Sequence, residues 1–234
     1  MYSEVMYRFI MQGDCMSRSN AEYVRQIIDN LQKLDFIQPD EIPNINLYMD
    51  QVTTFKDEHL SQEKRYEDDK ILTKTMINNY TKNHLLPPPL KKKYSKEHML
   101  LLIFIYYFKN ILSINDIRSI FTPLSELFSA NGAYKEGQIS LESIYEEVFT
   151  YEKEQVDVLA KDVIRKFKKA ENAFDGKVEK EEDKEFLVCF TFICILSFDV
   201  YIKKKMIEKM IDQHIMPRFG GGQKTDKKKD KNEG

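Results

Sequence analysis

The sequence predicts an all-α protein, and three observations support this prediction. Glycine and proline are scarce: the 234 residues hold eight glycines and seven prolines, and three of each stand in single runs at 220–222 and 87–89. Sandwiches and barrels need more turn residues than the other positions supply. Apolar side chains make up 42% of the chain and recur mainly at spacings of three and four residues, which is typical of amphipathic helices.

Three helices are expected in the first part of the chain. Residues 1–17 do not have the pattern expected of a secretory signal, and we expect them to be a disordered extension. Ser19 or Asn20 caps a first helix that ends near residue 36, and a second helix covers about 47–60. Thr73 caps a shorter third helix, which ends near residue 83.

The fourth predicted helix is the most apolar. Ser95 caps it, and residues 99–108 (MLLLIFIYYF) are apolar or aromatic without interruption. A bilayer-spanning helix needs about 20 such residues, so this run is expected to lie buried at the centre of a domain. Ser113 and Asp116 begin a fifth helix, which Pro123 is expected to end. Together these helices predict a helical domain over 18–121.

The remaining chain predicts a second helical region. A linker is expected at 122–139, and residues 140–217 form a helical C-terminal region that begins with a long helix capped by Ser140. Heptad-like spacing late in this region suits packing against a partner helix, so a homodimer through 140–217 is expected. Residues 218–234 are lysine-rich and low in complexity, which predicts a disordered basic tail.

Residues 186–202 are the one segment where a membrane helix could begin. Asp199 interrupts this segment, and its length is at the lower limit for spanning a bilayer. A buried core helix or a dimer helix is therefore favoured over a membrane helix. Cys15, Cys189 and Cys194 form neither a disulfide framework nor a metal-ligand spacing, which fits a cytoplasmic location. Both later cysteines are expected to be buried.

Charge is strongly segregated along the chain. The formal net charge is −2, yet residues 70–98, here called the basic island, hold seven lysines against one acid, Glu97. A compact basic region in an acidic protein is typical of a surface that binds a polyanion. Lysine runs also occur as plain solvated surface, and for the lysines at 91–93 this alternative stays open.

The third helix divides its residues between two faces. Its apolar side chains fall on one side, whereas Thr75, Asn78, Asn79 and Lys82 follow the helical repeat on the other. Asparagine can pair with two atoms of adenine in the major groove, and lysine binds phosphate. The prolines at 87–89 then lead into three lysines, which could present a stiff basic wing to a phosphate backbone.

The order of these parts in residues 71–121 resembles the winged helix-turn-helix of MerR-type transcription regulators. The resemblance places Tyr80 at the second aromatic of that family's Arg-Tyr-Tyr signature and Tyr94 at the tyrosine of its Tyr-Ser step. Asn78 and Asn79 stand where the signature has arginine and tyrosine, and His84 replaces a glycine. The wing is several residues shorter than in that family.

The region from Ser19 to Phe121 is also similar to an uncharacterised bacterial family known as a domain of unknown function. That similarity depends on YMDQVTTF, ILTKTMINNYTKN, LLPPP and KKKYSKEH. The candidate DNA-binding residues are Lys74, Thr75, Asn78, Asn79, Tyr80, Lys82, Lys91, Lys92, Lys93 and Tyr94.

The expected function is a transcription regulator that binds double-stranded DNA. The alternative is a non-enzymatic helical module for protein–protein interaction, in which the basic island meets an acidic partner. An enzyme is disfavoured, because the four histidines are scattered and no phosphate-binding loop is recognisable. Neither a cofactor nor a metal is expected, and the sequence does not specify a small-molecule effector.

Overall fold

A computed structural model describes residues 20–31, 36–61, 64–127 and 139–219. These residues are mainly helical, as the sequence predicts. The predicted extension at 1–17 lies outside the described residues, as does the predicted tail except for Arg218 and Phe219, which end the last helix. The elements in chain order are α1 (Asn20–Leu31), β1 (Leu47–Tyr48), α2 (Met49–Leu60), α3 (Lys74–Lys82), β2 (Lys93–Tyr94), α4 (Lys96–Phe108), α5 (Ile114–Leu127), α6 (Leu141–Asn172), α7 (Glu181–Met210), a π-helical turn (Ile211–Ile215) and α8 (Met216–Phe219).

The main core is built around α4. Every residue from 99 to 106 is buried, which confirms the prediction made from the uninterrupted apolar run. Helices α2, α3 and α5 and the short β1–β2 pair surround α4. This unit, residues 37–149, is called the head here, because its core begins at Ile37 and includes Phe149.

The first turns of α6 belong to the head, which corrects the predicted boundaries at 121 and 140. Leu141, Tyr145 and Phe149 recur every four residues and therefore lie on one side of the helix, where all three are buried in the main core. The Tyr145 hydroxyl donates a hydrogen bond of 2.7 Å to the carbonyl of Ile37. This bond joins the two ends of the head.

Helix α5 is longer than predicted. Ser113 and Asp116 form the expected reciprocal cap: the Asp116 backbone N–H donates to Ser113 Oγ at 3.2 Å, and Ser113 Oγ donates to the Asp116 carboxylate at 2.7 Å. Pro123 lies inside α5, so the prediction that it ends the helix is wrong. Helix α5 occupies the start of the predicted linker, and residues 128–138 lie outside the described residues.

A second, smaller core forms where α6 and α7 pack against each other in opposite directions. It contains Phe167, Ala170 and Val188, together with Val24 and Ile28 of α1. This unit, called the arm here, comprises α1, residues 150–172 and α7. The prediction that α1 belongs to the same domain as the basic island is therefore wrong, because its apolar face meets α6 and α7.

Helix α7 and the turns that continue it are long and apolar enough, by length and composition, to cross a membrane over Glu181–Phe219. Within the apolar segment 186–202 eight residues are exposed and only Val188 is buried, so the expectation of a buried core helix is not met. Only one side of the helix packs against α6. Cys189 and Cys194 are consequently half-buried rather than buried. At its far end the helix returns to the head, where Ile211 is 2% exposed.

Candidate nucleic-acid interface

Helix α3 has the two faces that its sequence predicts. Thr73 caps it, since the backbone N–H of Met76 donates to Thr73 Oγ1 at 3.2 Å. Ile77 is fully buried against the main core. The opposite face is exposed along its whole length and carries Thr75, Asn78, Asn79 and Lys82. Two amide side chains and an ammonium group are therefore presented to solvent from a rigidly seated helix.

The end of α3 is fixed by a left-handed residue and a long-range hydrogen bond. His84 has φ 57°, a conformation that glycine adopts without strain. It turns the chain so that the backbone N–H of Leu85 donates to the carbonyl of Tyr80 at 2.9 Å. Arg118 of α5 donates from Nε to the carbonyl of Asn83 at 2.8 Å. The orientation of α3 is thus set from both the core and α5.

The lysine run forms a two-residue hairpin turn. Leu90 and Lys93 pair across it, and the backbone N–H of Lys93 donates to the carbonyl of Leu90 at 3.0 Å. Lys91 and Lys92 both have positive φ, 50° and 63°, which is the type I′ geometry that favours Asn-Gly. Both lysines are exposed at the tip. The predicted stiff connector is therefore a tight basic turn.

The basic turn is anchored to the start of α2. In the two-stranded sheet Leu47 pairs with Tyr94 and Tyr48 with Lys93. The Lys93 ammonium lies 4.9 Å from the centre of the Tyr48 ring, within the range of a cation–π interaction. Because Tyr48 caps α2, the turn and the start of that helix form one surface.

An ion pair brings the start of α3 to the same place. Lys74 contacts the carboxylate of Asp50, in the first turn of α2. Lys74 and Lys93 therefore both contact residues at the beginning of α2, one from α3 and one from the basic turn. Both side chains of the ion pair are more than half exposed, so the pair itself contributes little to stability. Its carboxylate does partly neutralise Lys74.

Two predicted contact residues lie in the core instead. Tyr80 and Tyr94 are 7% and 3% exposed. Burial raises the pKa of both phenols. Their rings are packed in the main core and cannot contact a nucleic acid in this structure. The prediction that Tyr80 and Tyr94 are DNA-binding residues is therefore corrected. The periodicity of α3 already places Tyr80 beside Ile77, on its apolar face.

His98 helps to cap α4, the helix that follows the basic turn, and sequence reasoning missed this role. The backbone N–H of Ser95 donates to His98 Nδ1 at 3.1 Å, completing a capping box at the start of α4. The proton of the neutral ring must then sit on Nε2, which is buried without a hydrogen-bond partner of normal geometry. Burial lowers the pKa of His98, while the carbonyl of Pro88, the charge of Glu97 and the carbonyl of Pro87 raise it. The ring therefore lies close to the proline run that leads to the basic turn.

Within 20–31, 36–61, 64–127 and 139–219, no group of three or more histidine, cysteine, aspartate or glutamate residues could hold a metal ion. The chemical character of the surface around α3 is therefore that of amides, hydroxyls and ammonium groups.

Comparison with known proteins shows a match to a family model over residues 37–149. No curated protein and no solved structure matches the chain. The matched segment, residues 37–149, coincides with the head, whose core begins at Ile37 and includes Phe149. The similarity to an uncharacterised family is thereby confirmed, with bounds that begin and end later than the sequence resemblance suggested. The family whose model this head matches is a domain of unknown function, DUF1836.

Proposed function

We propose that the protein is a transcription regulator that binds double-stranded DNA in a sequence-specific manner through a MerR-like winged helix-turn-helix. Helices α2 and α3 are the two helices of that motif, and the turn at 91–92 is its wing. The exposed face of α3 enters the major groove, while the lysines of the wing bind the phosphate backbone. Such a reader of bacterial DNA acts in the cytoplasm.

One observation carries this proposal. Lys74 of α3 and Lys93 beside the basic turn both contact the start of α2, at Asp50 and at Tyr48. A helix-turn-helix protein needs a helix that reaches base edges beside cations that reach phosphates. Here the polar face of α3 and the tip of the basic turn are both exposed, and both elements are tied to the start of α2.

The side chains on α3 suit base reading. Asn78 and Asn79 each offer an amide that can donate to adenine N7 and accept from adenine N6. Thr75 can bond to bases or phosphates, and Lys82, at the end of the helix, can reach a phosphate. Lys91 and Lys92 supply charge without base information, so they contribute affinity rather than sequence preference.

The proposal is tested by selecting bound fragments from a random pool of double-stranded DNA at two salt concentrations. The informative variant is the double substitution Lys91→Asn and Lys92→Gly. It removes two charges yet supplies the residues that a type I′ turn favours, so the turn is preserved. Loss of binding then reports on charge alone.

Wild type is expected to enrich one motif that survives moderate salt. The turn variant should keep the motif but show a slope of log affinity against log salt that is flatter by about 2. Its matched control is Lys161→Ala with Lys168→Ala, which removes two exposed charges from the arm and should leave the slope unchanged. Equal slopes in all three proteins would remove the wing from the mechanism, and enrichment of no motif by wild type would refute the proposal.

The second candidate is a non-enzymatic interaction module. The exposed apolar surface of α7 favours it, because monomeric proteins rarely leave such a surface uncovered. In that case wild type would enrich no DNA motif at either salt concentration, and capture of a protein partner would persist at high salt. The same selection therefore separates the two candidates.

A further inference from the structure

Helix α7 carries a stripe of exposed residues at coiled-coil spacing. Phe186, Phe190, Ile193, Ser197 and Val200 follow one another at alternating steps of four and three residues, so they lie along one line of the helix. The four apolar members are between 54% and 68% exposed, and Ser197 is also exposed. These five residues are called the stripe here.

The stripe faces away from the rest of the chain. On the other side of α7, Val188 lies in the small core of the arm, and Phe192 packs edge-on against Phe167 of α6 with ring centres 5.3 Å apart. Asp199 on this side contacts Lys166 of α6. One surface of α7 is thus satisfied within the chain, and the stripe is left uncovered.

We propose that the stripe pairs with the same stripe of a second copy, in antiparallel orientation about a two-fold axis. A two-fold interface uses one surface twice, so the surface must be complementary to itself. The inference rests on the proposed function and deepens the homodimer expected through 140–217, because a DNA reader with two-fold symmetry needs paired heads. Its test contains no DNA, so either proposal can fail while the other holds.

The area of the stripe fits a second copy. With about 200 Å² for a large side chain, the exposed fractions of the four apolar stripe residues and Tyr201 give about 600 Å² per protomer. A standard interface buries about 800 Å² per partner, a value that the residues flanking the stripe bring within reach. The stripe is therefore large enough for a specific dimer.

The side-chain sizes along the stripe also suit pairing with a second copy. At its centre Ile193, Leu196, Ser197 and Val200 border a shallow, open depression. Ser197 has the smallest side chain of the four. An antiparallel copy centred here places its own Ile193 over Ser197, and by symmetry its Ser197 receives the Ile193 of the first copy. Knobs of this kind entering holes are how paired helices pack.

Charge favours the antiparallel orientation. The first turn of α7 is acidic, with Glu181, Glu182 and Asp183, whereas residues 203–205 beyond the stripe are three lysines. Two of these lysines contact Glu208 within the chain but remain about half exposed. Antiparallel pairing brings the acidic end of one copy to the basic end of the other, and parallel pairing would oppose like charges.

A lipid bilayer is the competing occupant of this surface, and two contacts argue against it. Lys166 contacts both Asp162 and Asp199, which places three charged side chains against the apolar segment of α7. Ile211, beyond the segment, is buried in the head core. Insertion would bring the charges into hydrocarbon or break the packing of α6 on α7.

The test measures the mass of the full-length protein by sedimentation equilibrium at about 10 μM, with two glutamate variants. Ile193→Glu places a charge on the stripe. Phe198→Glu places the same charge at an equally exposed position on the same helix, away from both the stripe and α6. We expect wild type and Phe198→Glu at about twice the chain mass of 27.8 kDa, and Ile193→Glu at that mass. Circular dichroism checks that all three have the same helix content.

Three results would overturn the proposal. The first is a wild-type protein that is monomeric, and the second is a dimer that Ile193→Glu leaves intact. Recovery of wild type with membranes, and its release by both variants alike, would assign the surface to lipid instead. Orientation is tested with the native cysteines replaced by serine: Phe190→Cys combined with Val200→Cys should crosslink two copies, whereas Phe190→Cys alone would crosslink only a parallel pair.

Discussion

The head and the arm each contain a long apolar run, and the structure treats the two runs in opposite ways. In the head, residues 99–106 are all buried beneath α2, α3, α5 and the start of α6. In the arm, residues 186–202 lie on a helix that packs along one side only, and Val188 is the one buried residue of this run. An apolar run therefore indicates that burial is needed, but whether the chain itself supplies the cover depends on how many neighbours surround the helix.

The largest expected effect on stability comes from comparing a buried isoleucine of the head with an exposed isoleucine of the arm. Ile105 is fully buried in the head, so Ile105→Ala should lower the free energy of unfolding by about 3 kcal/mol through lost burial and the cavity left behind. Ile193 is 60% exposed, and Ile193→Ala should have little effect at low protein concentration. Chemical denaturation measured at several protein concentrations checks both.

The dependence on protein concentration shows whether a loss of stability in Ile193→Ala comes from lost pairing or from the single chain. If a second copy covers this residue, the destabilisation by Ile193→Ala must grow with protein concentration, because pairing then stabilises wild type more than the variant. The loss caused by Ile105→Ala should be the same at every concentration. Equal, concentration-independent losses at both sites would show that the contrast between head and arm is wrong.

The second prediction concerns asparagines, again one in each region. Asn78→Ala on α3 removes an exposed amide from the proposed reading face and should reduce discrimination against one base pair of the selected site by about 1–3 kcal/mol. Asn172→Ala, at the exposed end of α6, should leave the selected motif unchanged. Binding to a panel of single-base variants of the motif measures this. Loss of affinity without altered preference would make Asn78 a phosphate contact.

Much of the head was predictable from sequence because its signals are local. The caps at Thr73, Ser95 and Ser113 and the two faces of α3 each depend on residues within one or two turns, and the structure confirms them. Pro123 misled the prediction: a proline inside a helix loses its backbone donor and its ring crowds the preceding turn, yet α5 continues past it.

The rest could not be predicted because it depends on contacts between distant parts of the chain. Two contacts define the candidate surface: the ion pair of Lys74 with Asp50 and the cation–π contact of Lys93 with Tyr48. No local sequence pattern predicts either contact. The placement of α1 in the arm has the same cause. A positive φ at Lys91 and Lys92 was equally hidden, because non-glycine residues rarely adopt it.

The third prediction compares histidines under acid conditions. His98 in the head is neutral and accepts a backbone N–H at Nδ1, so protonation would remove that hydrogen bond. Its pKa in the fold lies below the ordinary value of about 6.5 because of burial. Stability from this group is therefore fully present above pH 6.5 and declines as the pH falls through the pKa of the folded state.

The substitution His98→Gln should reduce this pH dependence, because glutamine can keep the capping box but does not titrate. Thermal unfolding of wild type and variant between pH 7.5 and 5 measures the difference. His214→Gln is the control, since His214 is exposed in the π-helical turn beyond α7. A wild-type slope that survives His98→Gln unchanged would assign the acid sensitivity to other groups.

The smallest expected effect concerns two left-handed residues that follow helices. Gly176 in the turn after α6 and His84 after α3 have φ 67° and 57°. Glycine adopts this conformation freely, whereas a residue with a side chain is strained by about 1 kcal/mol. No atom lies within 4 Å of a Cβ added at Gly176, so Gly176→Ala should destabilise the arm through backbone strain alone.

The reciprocal change, His84→Gly, should stabilise the head by up to about 1 kcal/mol, because it relieves the same strain. The pair of variants gives opposite shifts in denaturation midpoint if the backbone alone decides both. His84 directly follows the proposed reading helix, so the DNA affinity of the His84→Gly variant is the second measurement. A variant that gains stability but loses affinity would show that the histidine is retained for a contact with DNA. If His84→Gly gains stability and keeps affinity, neither the strain nor the histidine side chain has a part in binding DNA.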